Sequence, residues 1–167
     1  MVKPYFPNRG LECYNSALAN LLLEFGDRTT AELVFNNYRN HRLVSRDGTL
    51  HSGLLTRVLS ELTNERYFGI LHTNFEDLIG NTQKLFGKSR AEEILRIIAE
   101  ESAEGRIKGH NGSLNYLPPA IILAEGNKWG HACVDIGDGT LVNNGEKIIC
   151  SVESLRIIGL LEVKRDN

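Results

Sequence analysis

The sequence predicts an α+β fold, a helical first half packed on a small antiparallel β-sheet. Three observations carry this. Up to Gly105, apolar residues recur three and four positions apart, the spacing of buried helix faces. After Gly105 they fall into short runs separated by Gly-rich turns, the pattern of strands and hairpins. Helices precede strands instead of alternating with them, which argues against repeated β-α-β units. At 167 residues the chain is expected to form one domain over 1–167, long enough to bury a core without staples.

The elements follow in order. Residues 1–9 read as an extended arm closed by Pro7 and Asn8. A first helix begins between Glu12 and Ser16, where Asn15 and Ser16 are good N-terminal residues. Ala17, Leu18, Leu21, Leu22 and Phe25 form its apolar face, and Gly26-Asp27 stops it. Thr29 or Thr30 caps a second helix over 31–40. Arg46-Asp47-Gly48-Thr49 is a turn, and a third helix over 52–62 carries the stripe Leu54, Leu55, Val58, Leu59, Leu62. Residues 67–72 are aromatic and aliphatic, a strand. Asn74 caps a helix over 75–86, with Gly80 as a point of interruption, and Ser89 caps one over 90–104. Strands are expected at 119–124, 131–136, 140–143, 148–151 and 157–163, with a tight turn at Gly137-Asp138-Gly139.

Composition excludes several classes. A net charge of −2 gives no electrostatic case for nucleic acid or an anionic membrane. No apolar run approaches the length of a membrane span, and the opening MVKPYFPNRG lacks the apolar core of a signal peptide. A cytoplasmic protein is therefore expected. Three well-separated cysteines do not suggest a disulfide framework, and the odd count leaves at least one thiol free.

Two stretches carry chemistry. In the first, GLECYNSALANLLLEFGD, Cys13 stands at the start of the first helix. Unpaired backbone N–H groups and the helix dipole favour an anion there, and the thiolate is the reactive form of cysteine. In the second, KWGHACVDIGDGTLVNNG, His131 opens a strand that turns and returns to Asn143-Asn144. With a two-residue loop, Gly137 pairs with Thr140, and His131, Cys133 and Asp135 share a face. Asn144 then falls opposite Cys133, diagonal to His131; a three-residue loop would put Asn143 there instead. Either asparagine could orient the imidazole, giving a nucleophile, a base and an orienting group. Cys13, His131, Cys133 and Cys150 lack the C-x-x-C element of common zinc sites, so neither a metal nor a cofactor is expected. His41, His51, His72 and His110 show no partner pattern and read as surface or packing residues.

An early Cys at a helix start and a late His in a hairpin whose return strand ends in Asn is the linear order of the papain-like cysteine peptidases. CYNSALANLLLEFGD resembles the nucleophile helix of the double-glycine leader peptidase-like branch of that superfamily. RDGTLHSGLLTRVL is similar to its Asp-Gly-Thr turn and third helix, and LPPAIILAEGNKWGHACVDI to its Pro-led strand, loop and Gly-His strand. GTLVNNG stands where the branch has Val-x-Asn-Asp-Pro, and HACVDIG also resembles the His strand of papain. The likeness covers most of the chain; residues 67–115 add little to it.

The resemblance implies a papain-like fold with a cleft between helices and sheet, and hydrolysis of a peptide or amide substrate through an acyl-enzyme. Papain-fold acyltransferases and amidases, and an inactive peptide-binding member, are the alternatives. Cys13 would be the nucleophile and His131 the general base. Asn144 would orient His131, with Asn143 as the substitute, and Trp129 would wall the cleft. The backbone N–H of Cys13 and the side chain of Asn8 would bind the oxyanion. The chain departs from the branch in having Tyr14 instead of Gly after the cysteine, Pro7 where the oxyanion Gln stands, and Asn144 in place of Asp.

Overall fold

The computed structural model describes residues 5–110, 115–125 and 130–166. Five α-helices stand among them: α1 (Cys13–Glu24), α2 (Arg28–Asn37), α3 (Leu55–Leu62), α4 (Phe75–Leu85) and α5 (Lys88–Ala103). The strands are β1 (Tyr67–Thr73), β2 (Ile107–Gly109), β3 (Ala120–Glu125), β4 (Gly130–Gly137), β5 (Thr140–Asn143), β6 (Glu146–Ile149) and β7 (Ile157–Arg165). They form one sheet in the order β2-β1-β7-β3-β4-β5-β6.

The fold is α+β, but the sheet is larger than expected and is mixed. The last strand explains this. β7 runs antiparallel to both β1 and β3, so it joins a strand of the helical half to the C-terminal meander. β1 then pairs in parallel with β2, a three-residue strand whose single apolar residue, Ile107, is too little for an alternation pattern. Helix starts also shift. Asp27, expected only to stop α1, accepts the Thr30 N–H at 3.1 Å and so caps α2, which begins at Arg28. Residues 52–54 form a 3-10 turn ahead of α3. Asn74 caps α4, which runs through Gly80 without a break.

α1 is the centre of the molecule. Every residue from Asn15 to Leu23 is buried, so the helix is enclosed on all sides instead of showing one apolar face. It packs between α2 and strands β3 and β4. Leu18, Leu21 and Leu22 join Ile121, Leu123, Ala132, Val134 and Val142 in the main core. Burying each such leucine contributes about 1.5–3 kcal/mol. The opposite face of the sheet buries Ala120, Ile122, Cys133, Leu141 and Leu160, covered by Tyr116, Val152 and Leu155. The packing of α1 on β4 brings residue 13 to residue 131.

Candidate active site

Cys13 is the first residue of α1. The N-cap residue is Glu12, not Asn15 or Ser16, and no side chain caps the first turn; Asn8 Oδ1 accepts the Glu12 N–H at 3.1 Å. Asn15 and Ser16 are buried one turn in, where Asn15 Nδ2 donates to Glu12 Oε1 and to the Phe35 carbonyl, both at 3.1 Å. Ser16 Oγ donates to the Phe6 carbonyl at 2.9 Å. Glu12 itself is a buried carboxylate with Arg39 Nε 3.3 Å from Oε2. Over this pair lies Gly48 at φ +93°, where a Cβ would sit 2.6 Å from Glu12 Cγ. The Asp-Gly-Thr turn is therefore a lid on the start of α1, and only glycine fits at its centre.

His131 stands on β4 opposite Ala124 and is half-buried. Its ring shares the pocket with the Cys13 side chain, which is near enough to act on its protonation, and through Nε2 it is hydrogen-bonded to Asn143 Oδ1. With Nε2 occupied by a carbonyl acceptor, Nδ1 is left as the nitrogen for the thiol. The adjacent Cys13 side chain, above all, raises the imidazole pKa; burial works against it, and Asn143 adds to the rise. These effects are local: the two neighbouring side chains favour the charged ring and burial opposes it.

The asparagine on the ring is Asn143, and this corrects the placement of Asn144. The turn has the expected pairing of Gly137 with Thr140, with Asp138 and Gly139 both left-handed. The register then slips, because Asp135 pairs with Leu141 and Val134 with Val142, leaving Ile136 as a bulge. Asp135 Oδ1 holds that bulge by accepting the Gly137 N–H at 2.9 Å. One residue of slip exchanges the two faces of the return strand, so Asn143 lies on the side of His131. Asn144 turns away at φ +53° and accepts a hydrogen bond from Asn8 Nδ2 at 3.1 Å.

Asn8, Cys13 and His131 line one pocket of about 280 Å³, together with Gly10, Leu11, Tyr14, Thr49 and Leu50. None of these described lining residues is an Asp, Glu, Lys or Arg. The arm that carries Asn8 is pinned by a residue that sequence reasoning passed over. Asn20 Oδ1 accepts the Phe6 N–H at 2.7 Å, and its Nδ2 donates to the Phe6 carbonyl at 3.0 Å. The signal was present: an asparagine within the apolar run ALANLLL must find partners if it is buried. Trp129 lies outside the described residues.

All three cysteines are free. Burial, the main cause, pushes the Cys133 thiol up to about 11, whereas Cys13 opens onto the pocket. Among the described residues, no group of three or more His, Cys, Asp or Glu side chains is placed to hold a metal ion. His51 and His72 are paired, with Thr82 Oγ1 at 2.8 Å and Glu162 Oε1 at 2.6 Å. No described helix is long and apolar enough to cross a membrane. Comparison of the chain with family models, curated proteins and solved structures found no match.

Proposed function

We propose that this chain is a papain-like cysteine hydrolase that cleaves a peptide or amide bond through a thioester on Cys13. The observation that carries the reading is that Cys13 and His131 face one open pocket, with Asn143 hydrogen-bonded to the imidazole. The Cys13 proton passes to Nδ1 of His131, and Asn143 steadies the resulting imidazolium through the Nε2 proton. The thiolate adds to the carbonyl carbon. The oxyanion is met by the Cys13 backbone N–H and by one hydrogen of Asn8 Nδ2, at the N-terminus of α1. Collapse breaks the C–N bond, and the imidazolium proton goes to the leaving amine. Water, deprotonated by His131, then releases the acid and restores the thiol. The three free thiols suit a reducing, cytoplasmic setting.

The test is acylation by 4-nitrophenyl acetate followed by mass spectrometry. A burst of 4-nitrophenolate with one acetyl group on Cys13 is expected, lost in Cys13→Ser and strongly reduced in His131→Ala. Peptide-library digestion then separates hydrolysis from acyl transfer by its products. A chain that gives neither acyl-Cys13 nor peptide products is a binder, and the reading fails.

A further inference from the structure

The β5–β6 turn, Asn143-Asn144-Gly145, touches the site at two points. Asn143 meets the imidazole. The second point is Asn8, which lines the pocket. Asn144 Oδ1 takes one hydrogen of Asn8 Nδ2, while Asn8 Oδ1 takes the Glu12 N–H. Of these two bonds, the one from Glu12 fixes which end of the Asn8 amide is oxygen, since a backbone N–H only donates, and the Nδ2 end then meets Asn144 Oδ1. They also leave the second Nδ2 hydrogen for the pocket that Asn8 lines. Without Asn144 the amide would keep only its bond to the helix start and could swing about it.

Backbone geometry supports the same division of labour. Asn144 is left-handed, at φ +53°, so its side chain leaves the strand in a direction that a regular β residue does not take. Gly145 follows at φ +88°, and a Cβ there would lie 2.7 Å from the Phe6 carbonyl oxygen and 2.9 Å from Pro7 Cα. The turn therefore rests on the backbone of the arm directly before Asn8. That arm is held from its other side by Asn20 and Ser16 of α1. The segment carrying Asn8 is clamped between the nucleophile helix and the turn that also carries Asn143.

We infer that Asn144 is a positioning residue that aims the Asn8 amide at the oxyanion formed on Cys13. This rests on the hydrolase reading. Asn144 itself touches neither the thiol nor the ring through any hydrogen bond among the described residues, so its effect passes through Asn8.

Two reactions of the same thiol separate the roles. Acylation of Cys13 by 4-nitrophenyl acetate passes through a tetrahedral oxyanion; alkylation by iodoacetamide does not. Both rates are measured as the increment over Cys13→Ser. Asn144→Gly keeps the left-handed backbone but removes the acceptor, and it should slow acylation about tenfold with alkylation unchanged, the scale of a small misplacement of a catalytic donor. Asn144→Asp keeps an acceptor for Asn8 Nδ2 and should stay within about threefold of the parent. Asn8→Ala should slow acylation about a hundredfold, and adding Asn144→Gly to it should cost nothing more. A parent rate in Asn144→Gly overturns the proposal, as does a loss that persists on top of Asn8→Ala or one that extends to alkylation. A parent chain with no burst from Cys13 removes the hydrolase reading and this one with it. A burst that Asn8→Ala leaves intact removes this proposal alone.

Discussion

Asn143→Ala is the substitution that tests the site most directly, because the register of one hairpin decides which asparagine meets the ring. It removes the acceptor at Nε2 of His131 and leaves a half-buried ring N–H without its partner. A hydrogen bond between neutral groups is worth about 1 kcal/mol, and one to a charged group about 1.5–3 kcal/mol. The reactive ion pair carries the charged ring, so the difference, roughly 0.5–2 kcal/mol, falls on that state. At about 1.4 kcal/mol per factor of ten, that is roughly a two- to thirtyfold slowing of iodoacetamide alkylation at Cys13. Acylation should slow by a similar factor, since both reactions start from the same ion pair. The sign for the ring follows from its surroundings. Asn143 contributes to the raised pKa of His131, after the larger contribution of Cys13, so its loss lets the ring deprotonate at lower pH in an NMR titration. An Asn143→Ala chain alkylated at the parent rate, or an Asn144→Ala chain in which alkylation slows instead, would refute the assignment.

Three further outcomes are expected. Gly48→Ala forces a side chain into a left-handed backbone and into Glu12 Cγ at 2.6 Å, a combined cost of roughly 3 kcal/mol, or a fall in Tm of about 6–12 °C by calorimetry; a shift under about 2 °C would mean the turn relaxes freely. His51 is held neutral by burial, with a smaller effect of Arg90, and its pKa is pushed down to about 4. Its unfolded pKa is the higher one, so stability is present above about pH 6.5 and falls as pH drops towards 4, by up to roughly 3 kcal/mol. In urea denaturation at pH 4.5–7, His51→Gln should flatten that slope, and an unchanged slope would exclude His51 as its source. The pocket wall of Leu11, Tyr14, Thr49 and Leu50 offers nothing to pair a charge. Peptides presenting Leu there should therefore have kcat/KM at least about tenfold above those presenting Lys or Asp, and equal rates would mean the side chain binds elsewhere.

What was legible in the sequence divides along a physical line. Spacing along one element is a local property, so the existence of the helices and of the meander strands could be read directly. Pairing between distant elements is not local. Nothing in GLLEV announces that β7 inserts between β1 and β3, yet that insertion makes the sheet mixed and ties its two parts together. At the site, the types and order of Cys13, His131 and the asparagine pair were visible, and the choice within the pair was not. It rests on a bulge at Ile136 that Asp135 stabilises through the Gly137 N–H. An aspartate two residues before a glycine-rich turn is a common turn feature, and it does not state whether a residue is added to the ladder. Glu12 and Asn20 were passed over for a different reason: both are polar residues whose burial depends on partners from other segments, Arg39 for one and the Phe6 backbone for the other.

The position of α1 explains why these long-range contacts converge. Each group in the candidate site reaches it through that helix. Cys13 is its first residue, and Asn8 accepts the N–H of Glu12 just before it. The arm before Asn8 is bonded to Asn20 and Ser16 on its buried flank, and β4, which carries His131, packs along it. A helix enclosed on all sides cannot shift towards one neighbour without opening a gap against another. The separation of thiol, ring and amide is thus set by core packing and not by the loops that carry them. The loops supply direction: Gly48 closes over Glu12 at the helix start, and the Asn143-Asn144 pair points one amide at the ring and the other at Asn8. Adjacent residues in an extended strand necessarily face opposite ways, and the left-handed turn at Asn144 adds a further rotation. Two neighbouring asparagines can therefore serve two residues of one pocket, where two residues of a regular strand would serve two faces of a sheet.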